Sequence, residues 1–132
     1  MREIIFRGKR ISNGEWVHGG IVKTFHPNFP VESEIAFFAQ RPNAYAICVN
    51  NKDCFVGQGT IGQFTGMKDK RGSKIYEGDI VFDDRYSCNM QVIYSEETAQ
   101  FLLYREDTTY GELSSWCVIV GNIYDTPEKI NE

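Results

Sequence analysis

Short runs of apolar residues recur along this chain, and Gly, Pro, Asn and Asp are concentrated between them. Many of these residues are aromatic or β-branched, which is typical of half-buried β-strands. The runs lie at residues 4–7, 16–25, 45–49, 54–56, 73–76, 90–94, 99–104 and 116–120. The pattern predicts a mainly β fold.

Turn residues predict where the first strands reverse. Asn13-Gly14 is the strongest kind of two-residue hairpin signal. Gly19-Gly20 interrupts a strand and predicts a bulge or a sharp bend. The polar stretch 50–53 predicts a second hairpin turn, between Cys48 and Cys54.

The second half of the chain has its own turn signals. The polar turn 68–72 ends in Gly72, at a position that would need a positive φ. Residues 95–98 separate two apolar runs and predict a hairpin, whereas residues 105–114 read as a polar loop. The Gly78-Asp79 step before a β-branched pair is typical of the first long strand of an SH3-like barrel, by fold analogy.

Two segments have helix signals. Ser33 could cap a short helix over 33–40, but the apolar residues of the same stretch fit a buried strand equally well. Near the C-terminus, Thr126 is a good N-cap residue and Pro127 suits the first helical position, so a short helical turn is predicted there.

The length of 132 residues, with 42% hydrophobic and 24% charged residues, predicts one globular domain covering 1–132. The N-terminal residues lack the apolar region of a secretory signal. The chain also contains no apolar stretch of the ~18 residues that a membrane span requires. We therefore expect a cytoplasmic protein with no membrane partner.

Charge is distributed unevenly along the chain. Residues 1–74 hold 11 Lys and Arg and 6 Asp and Glu, a net charge of +5, and residues 75–132 hold 3 and 12, a net charge of −9. Such asymmetry fits a basic face for an anionic partner, complementary faces in a self-assembly, or a solvated surface without a partner.

The basic turn, which we define as Lys68, Lys70, Arg71 and Lys74, is the candidate nucleic-acid contact. Only Asp69 opposes these cations, and Arg7, Lys9 and Arg10 form another basic cluster. If the two adjoined, they would form a phosphate-binding patch beside exposed aromatic residues such as Phe64 or Tyr76. The alternative interpretation is that charges at a hairpin tip keep the protein soluble and prevent its strand edges from pairing with other chains.

For the other polar residues that could carry chemistry, we favour structural roles over functional ones. Cys48, Cys54, Cys88 and Cys117 do not have the spacing of a zinc site, so we expect buried free thiols. No second potential metal ligand lies at a suitable sequence spacing from His18 or His26. Glu77, Asp79, Asp83 and Asp84 could bind a cation or act as an acid–base pair, but Asp79 is better explained by hydrogen bonds to turn amides.

Three segments together resemble the YopX family of small proteins from bacteria and their prophages. They are residues 1–9 continued by 14–19, the stretch IGQFTGMKDKRGSKIYEGDIV at 61–81, and residues 120–128. The match spans nearly the whole chain and is weakest over 24–55. The resemblance implies a mostly β protein with an SH3-type barrel, a tendency to self-associate and no established activity, so it supplies no catalytic residues.

We therefore expect a mainly β fold, a small SH3-like barrel with additional N-terminal strands and one or two short helices. The expected function is a non-catalytic phage or prophage accessory protein, a self-associating protein-binding module that forms a homo-oligomer. The alternative is a nucleic-acid-binding module that uses the basic turn. No nucleophile and base can be assembled from the sequence, and no cofactor, metal or small-molecule substrate is predicted.

Overall fold

The structure is a computed structural model that describes residues 3–24, 44–49 and 52–132. The strands of this part of the chain are β1 (Phe6–Lys9), β2 (Trp16–Thr24), β3 (Ala44–Val49), β4 (Lys52–Val56), β5 (Gly62–Lys68), β6 (Lys74–Tyr76), β7 (Asp79–Asp83), β8 (Cys88–Ser95), β9 (Gln100–Arg105), β10 (Thr108–Glu112) and β11 (Cys117–Asn122). Its helical elements are two short 3₁₀ helices, Gln58–Thr60 and Pro127–Asn131. The mainly β prediction is confirmed.

The described strands form two antiparallel sheets, and neither closes into a barrel. The predicted SH3-like barrel is therefore not confirmed. The chain divides into two compact units, Ile4–Gln63 and Phe64–Glu132, with Glu3 belonging to the second. The single domain expected over 1–132 stays a prediction. None of the helices among the described residues has the length and apolar character needed to cross a membrane.

In the N-terminal unit, strands follow the order β4-β3-β2-β1, and the start of β5 pairs with β1. The hairpin predicted at Asn13-Gly14 joins β1 to β2, and Gly14 has φ of +73°. At Gly19-Gly20, where a bulge or a sharp bend is predicted, β2 changes its partner, since Gly19 pairs with β1 and Gly20 with β3. A Cβ atom on Gly19 would lie 2.0 Å from the backbone oxygen of Cys48, so only glycine fits.

In the C-terminal unit, the five strands follow the order β10-β9-β8-β7-β11. One face of this sheet packs with the β5–β6 hairpin, which contributes Ile75 and Met67 to the core. Burying each large aliphatic side chain of this kind contributes about 1.5–3 kcal/mol. The fully or nearly fully buried members of the core are Ile75, Val81, Met90, Val92, Leu103, Leu113 and Cys117.

The prediction of a polar loop over 105–114 is wrong, because residues 108–112 form β10. A two-residue turn at Glu106 and Asp107 connects it to β9, with φ of 50° and 59°. Consecutive positive φ angles are typical of a type I′ hairpin turn, which usually contains Asn-Gly or Asp-Gly. Without glycine at this turn, the local sequence lacks the signal that identifies the hairpin.

The C-terminal helical turn is confirmed as a 3₁₀ helix, with Pro127 in its first turn. The capping prediction is wrong, since the Thr126 side chain makes no cap hydrogen bond. Its Oγ1 atom instead accepts a hydrogen bond from Asn122 N–H and donates one to Asn122 O, both at 3.3 Å. The predictions for 33–40, His26 and the centre of the turn at 50–53 fall outside the described residues.

Candidate binding surface of the C-terminal unit

The basic turn is the tip of the β5–β6 hairpin, where Lys68 pairs with Lys74. Asp69 N–H donates to Ser73 O at 2.9 Å, and Gly72 N–H donates to Asp69 O at 3.0 Å. Gly72 has φ of +83°, which confirms the predicted turn and its need for glycine.

The Asp69 carboxylate holds this turn together. Its Oδ1 atom accepts hydrogen bonds from Arg71 and Ser73 N–H, both at 2.9 Å, and its Oδ2 atom accepts one from Ile119 N–H at 3.0 Å. Burial raises the pKa of Asp69, but these three donors and the charge of Arg71 outweigh it and hold the pKa below its usual value. Asp69 is thus an ionised structural residue.

The same turn covers one edge of the five-stranded sheet. β11 is an edge strand, and the bond from Ile119 N–H to Asp69 is accompanied by one from Lys70 N–H to Cys117 O at 3.0 Å. Backbone groups on the outer side of β11 therefore already have partners. An edge covered in this way does not present these groups to a further strand.

Two of the four predicted cations have carboxylate partners. Lys70 pairs with Asp84, and Lys74 Nζ lies 2.9 Å from Glu3 Oε2 and 5.4 Å from the centre of the Phe64 ring. The hydrogen bond from Lys74 lowers the pKa of Glu3, and the same bond raises the pKa of Lys74. These pairs reduce the positive charge that the turn offers to a ligand.

Lys68 and Arg71 are exposed, and no carboxylate among the described residues lies in ion-pair contact with either of them. They are the cations of the turn that remain available to an anion. The second predicted cluster packs on its own tryptophan in the N-terminal unit, with the Arg7 guanidinium 4.7 Å and Lys9 Nζ 5.7 Å from the Trp16 ring centre.

The predicted exposed aromatics are wrong, and another aromatic residue takes their place. Phe64 and Tyr76 are 5% and 6% exposed, because they pair across β5 and β6 with ring centres 5.7 Å apart. Trp116 is 67% exposed and directly precedes Cys117, whose carbonyl accepts the bond from Lys70. The sequence pattern predicts a strand that begins at Trp116, and nothing in the local sequence indicates the exposure of this residue.

At the opposite edge of the sheet, the described residues include few partners for the outer side of β10. Leu113 N–H bonds to Phe101 O, so the backbone groups of the preceding Glu112 point away from β9, and Arg85 Nη2 donates to Glu112 O at 3.1 Å. A register shift leaves Tyr110 as an extra residue, 39% exposed.

The buried carboxylates near this surface have structural roles. Asp79 Oδ2 accepts Tyr76 N–H at 2.8 Å, which confirms the turn interpretation. Asp83 binds Arg85 through both carboxylate oxygens, at 2.8–3.2 Å; burial raises the pKa of Asp83, but these bonds outweigh it and hold the pKa below its usual value. Among the described residues, no group of three or more His, Cys, Asp or Glu side chains could hold a metal ion.

The four cysteines are free thiols, as predicted, but only Cys117 is fully buried. Burial raises the pKa of Cys117 to about 11, and the nearby Asp83 and Asp69 act in the same direction. Cys54 pairs with Ile47, so it lies on the opposite face of the β3–β4 hairpin from Cys48.

Glycines in the segments that resemble the YopX family are required by packing. Gly78 has φ of +92°, and a Cβ atom there would lie 3.1 Å from Cε2 of Tyr124. A Cβ atom on Gly121 would lie 2.2 Å from Oγ1 of Thr126. These positions support the turn and the chain end, and neither touches a candidate ligand site.

Comparisons with known proteins identify a similar fold and a family. The chain is similar to a solved structure, "Crystal structure of protein EF1440 from Enterococcus faecalis", with 22% sequence identity and a TM-score of 0.52 over 97% of this chain and 98% of that one. A search of curated proteins finds no match. The family model described as YopX protein matches residues 6–131. Because that match covers nearly the whole chain, this protein belongs to the YopX family.

Proposed function

We propose that this protein is a non-catalytic accessory protein of the phage and prophage type that acts in the cytoplasm and self-associates through the outer edge of β10. The supporting observation is the difference between the two edges of the C-terminal sheet. The basic turn makes hydrogen bonds to backbone groups of β11. On the outer side of β10, by contrast, the described residues make one hydrogen bond, which Arg85 donates. An unpaired strand edge is a template for another strand.

The composition of β10 suits pairing with a second copy. Thr108, Thr109 and Tyr110 favour strands, and all three are exposed. Because Glu112 lies at one end of β10, antiparallel pairing with a second copy about a two-fold axis places the two Glu112 side chains at opposite ends of the interface. An interface of one short strand is small, and we expect a dissociation constant on the order of micromolar.

A lysine in place of Thr109 tests this proposal. Because a charged residue on an edge strand opposes strand addition, Thr109→Lys should weaken the dimer while leaving the fold intact. Thr98→Lys is the matched control, since Thr98 is also exposed and lies in the turn between β8 and β9. Size-exclusion chromatography with light scattering is run from low to high micromolar concentration for all three proteins.

We expect the wild-type protein and Thr98→Lys to shift from the 15.2 kDa monomer toward twice that mass as concentration rises. Thr109→Lys should remain monomeric over the same range. A wild-type protein that stays monomeric, or a Thr109→Lys variant that dimerises equally well, would contradict the proposal.

Nucleic-acid binding through all four cations of the basic turn is less well supported. The ion pairs of Lys70 and Lys74 leave Lys68 and Arg71 to contact phosphate. Any such binding therefore needs a further contact outside the turn.

A further inference from the structure

The exposure of Trp116 is combined with a firmly held backbone. Its N–H group donates to Ser114 Oγ at 3.3 Å, and the next residue, Cys117, is fully buried in the core. Isolated exposed apolar side chains are common and need no explanation. An indole with 67% of its surface exposed is different when it lies beside unpaired cations, because it then offers a flat surface next to positive charge.

Trp116 and Arg71 are neighbours through one hydrogen bond. Lys70 N–H bonds to Cys117 O at 3.0 Å, and Arg71 and Trp116 are the chain neighbours of these two residues. Successive Cα atoms are 3.8 Å apart, and one N–H···O bond of 3.0 Å allows at most about 7 Å between the Cα atoms of the residues it joins, so the Cα atoms of Arg71 and Trp116 are separated by at most about 15 Å. Residues this close can contact the same short single strand.

The acidic groups around this surface have cationic or N–H partners. Asp84 pairs with Lys70, Glu3 pairs with Lys74, and the buried Asp69 carboxylate accepts three backbone N–H groups. The charges left for a ligand are therefore the positive ones of Lys68 and Arg71 and the negative one of the buried Asp69, so the surface keeps a small positive charge although the C-terminal part of the chain is acidic.

We propose that Trp116, Arg71 and Lys68 form a binding surface for single-stranded nucleic acid. A base stacks on the indole, and flanking phosphates contact the guanidinium and ammonium groups. Stacking on an aromatic side chain needs an exposed base face, which a duplex covers, so single strands are preferred. This proposal does not depend on self-association through β10, because the two surfaces use different residues.

The number of free cations predicts the salt dependence. Two phosphate contacts on a single strand give a slope of about −1.4 for the logarithm of affinity against the logarithm of salt concentration. Between 50 and 200 mM salt the affinity should then fall about sevenfold, compared with about fiftyfold if all four cations of the turn contacted phosphate. The measured slope distinguishes the proposed surface from the whole basic turn.

The test uses fluorescence anisotropy of a fluorescein-labelled oligothymidylate of about 12 nucleotides. Trp116→Ala should weaken binding about 5- to 150-fold, the range of a lost base stack, and Trp116→Phe should restore most of the affinity. Arg71→Ala should weaken binding and reduce the salt slope by about 0.7. Circular dichroism verifies that each variant is folded.

Two matched controls accompany these variants. The double variant Glu3→Gln, Lys74→Gln removes a neutral ion pair from the same turn, so the affinity should change little. Trp16→Phe alters the tryptophan of the N-terminal unit and should leave binding unchanged. If the wild-type protein does not bind, if Trp116→Ala binds normally, or if Arg71→Ala and the double variant Glu3→Gln, Lys74→Gln behave alike, the proposal is wrong. Equal or tighter binding of a labelled oligoglutamate peptide would also overturn it, in favour of an acidic polypeptide partner.

Discussion

Replacing Asp69 by Asn removes the charge that organises the basic turn while changing the shape of the side chain very little. In the wild-type protein the carboxylate accepts N–H groups from Arg71, Ser73 and Ile119 at 2.9–3.0 Å. The Asn side chain has one oxygen, which can still accept from the first two residues. Its amide group would then face the N–H of Ile119, and two donors cannot bond to each other.

The expected loss of stability follows from these three contacts. Leaving the Ile119 N–H without an acceptor costs about 1–3 kcal/mol. The two remaining bonds lose their charge assistance, and the desolvation cost of the carboxylate disappears, which offsets part of that loss. We therefore expect the free energy of unfolding to fall by about 2–4 kcal/mol, a large part of the total for a protein of this size.

The pH dependence has a defined sign. The pKa of Asp69 in the folded protein lies below its unfolded value of about 3.9, so its stabilisation is fully present above that value and is lost as the pH falls through the folded pKa. The difference between wild type and Asp69→Asn should be constant from about pH 5 to 7 and shrink below about pH 4. Asp83 also has a lowered pKa, but it is present in both proteins and cancels in the difference.

Urea unfolding followed by circular dichroism between pH 3 and pH 7 measures these differences. Asp84→Asn is the control, because it removes the same charge from an exposed ion pair with Lys70, worth about 0–1 kcal/mol. An Asp69→Asn variant as stable as Asp84→Asn, or a difference that persists unchanged at pH 3, would refute the role assigned to Asp69.

Two further predictions concern the core of the C-terminal unit. Gly78→Ala should destabilise the protein by about 1–3 kcal/mol in urea unfolding, because φ is +92° and the new Cβ would press against Tyr124. Gly59→Ala, where a Cβ meets no atom within 4 Å, should change stability by less than about 0.5 kcal/mol, and equal effects of both variants would contradict this. Cys117, buried with a pKa of about 11, should be alkylated at pH 8 much more slowly than the partly exposed Cys88. Mass spectrometry of the labelled protein checks this, and equal rates would be inconsistent with the burial of Cys117.

The local sequence was sufficient to predict the hairpins whose turn residues have a strong conformational preference. Asn13-Gly14 and the turn ending at Gly72 were both predicted, since a positive φ favours glycine wherever it occurs. The hairpin at Glu106 and Asp107 has positive φ angles without glycine, so β10 was missed. The open edge proposed for self-association therefore came from the structure alone.

The sequence by itself determined that this protein is mainly β, that it is similar to the YopX family, and which cations share one turn. Only the tertiary structure decided which aromatic residue is exposed. Phe64 and Tyr76 are buried because they pair with each other, whereas Trp116 precedes its strand and remains exposed. The role of Asp69 was decided by Ile119, 50 residues away, and the available charge of the turn by Glu3 and Asp84. Local residue preferences determine where a strand or a turn forms, but exposure and charge compensation depend on partners that are distant in the chain.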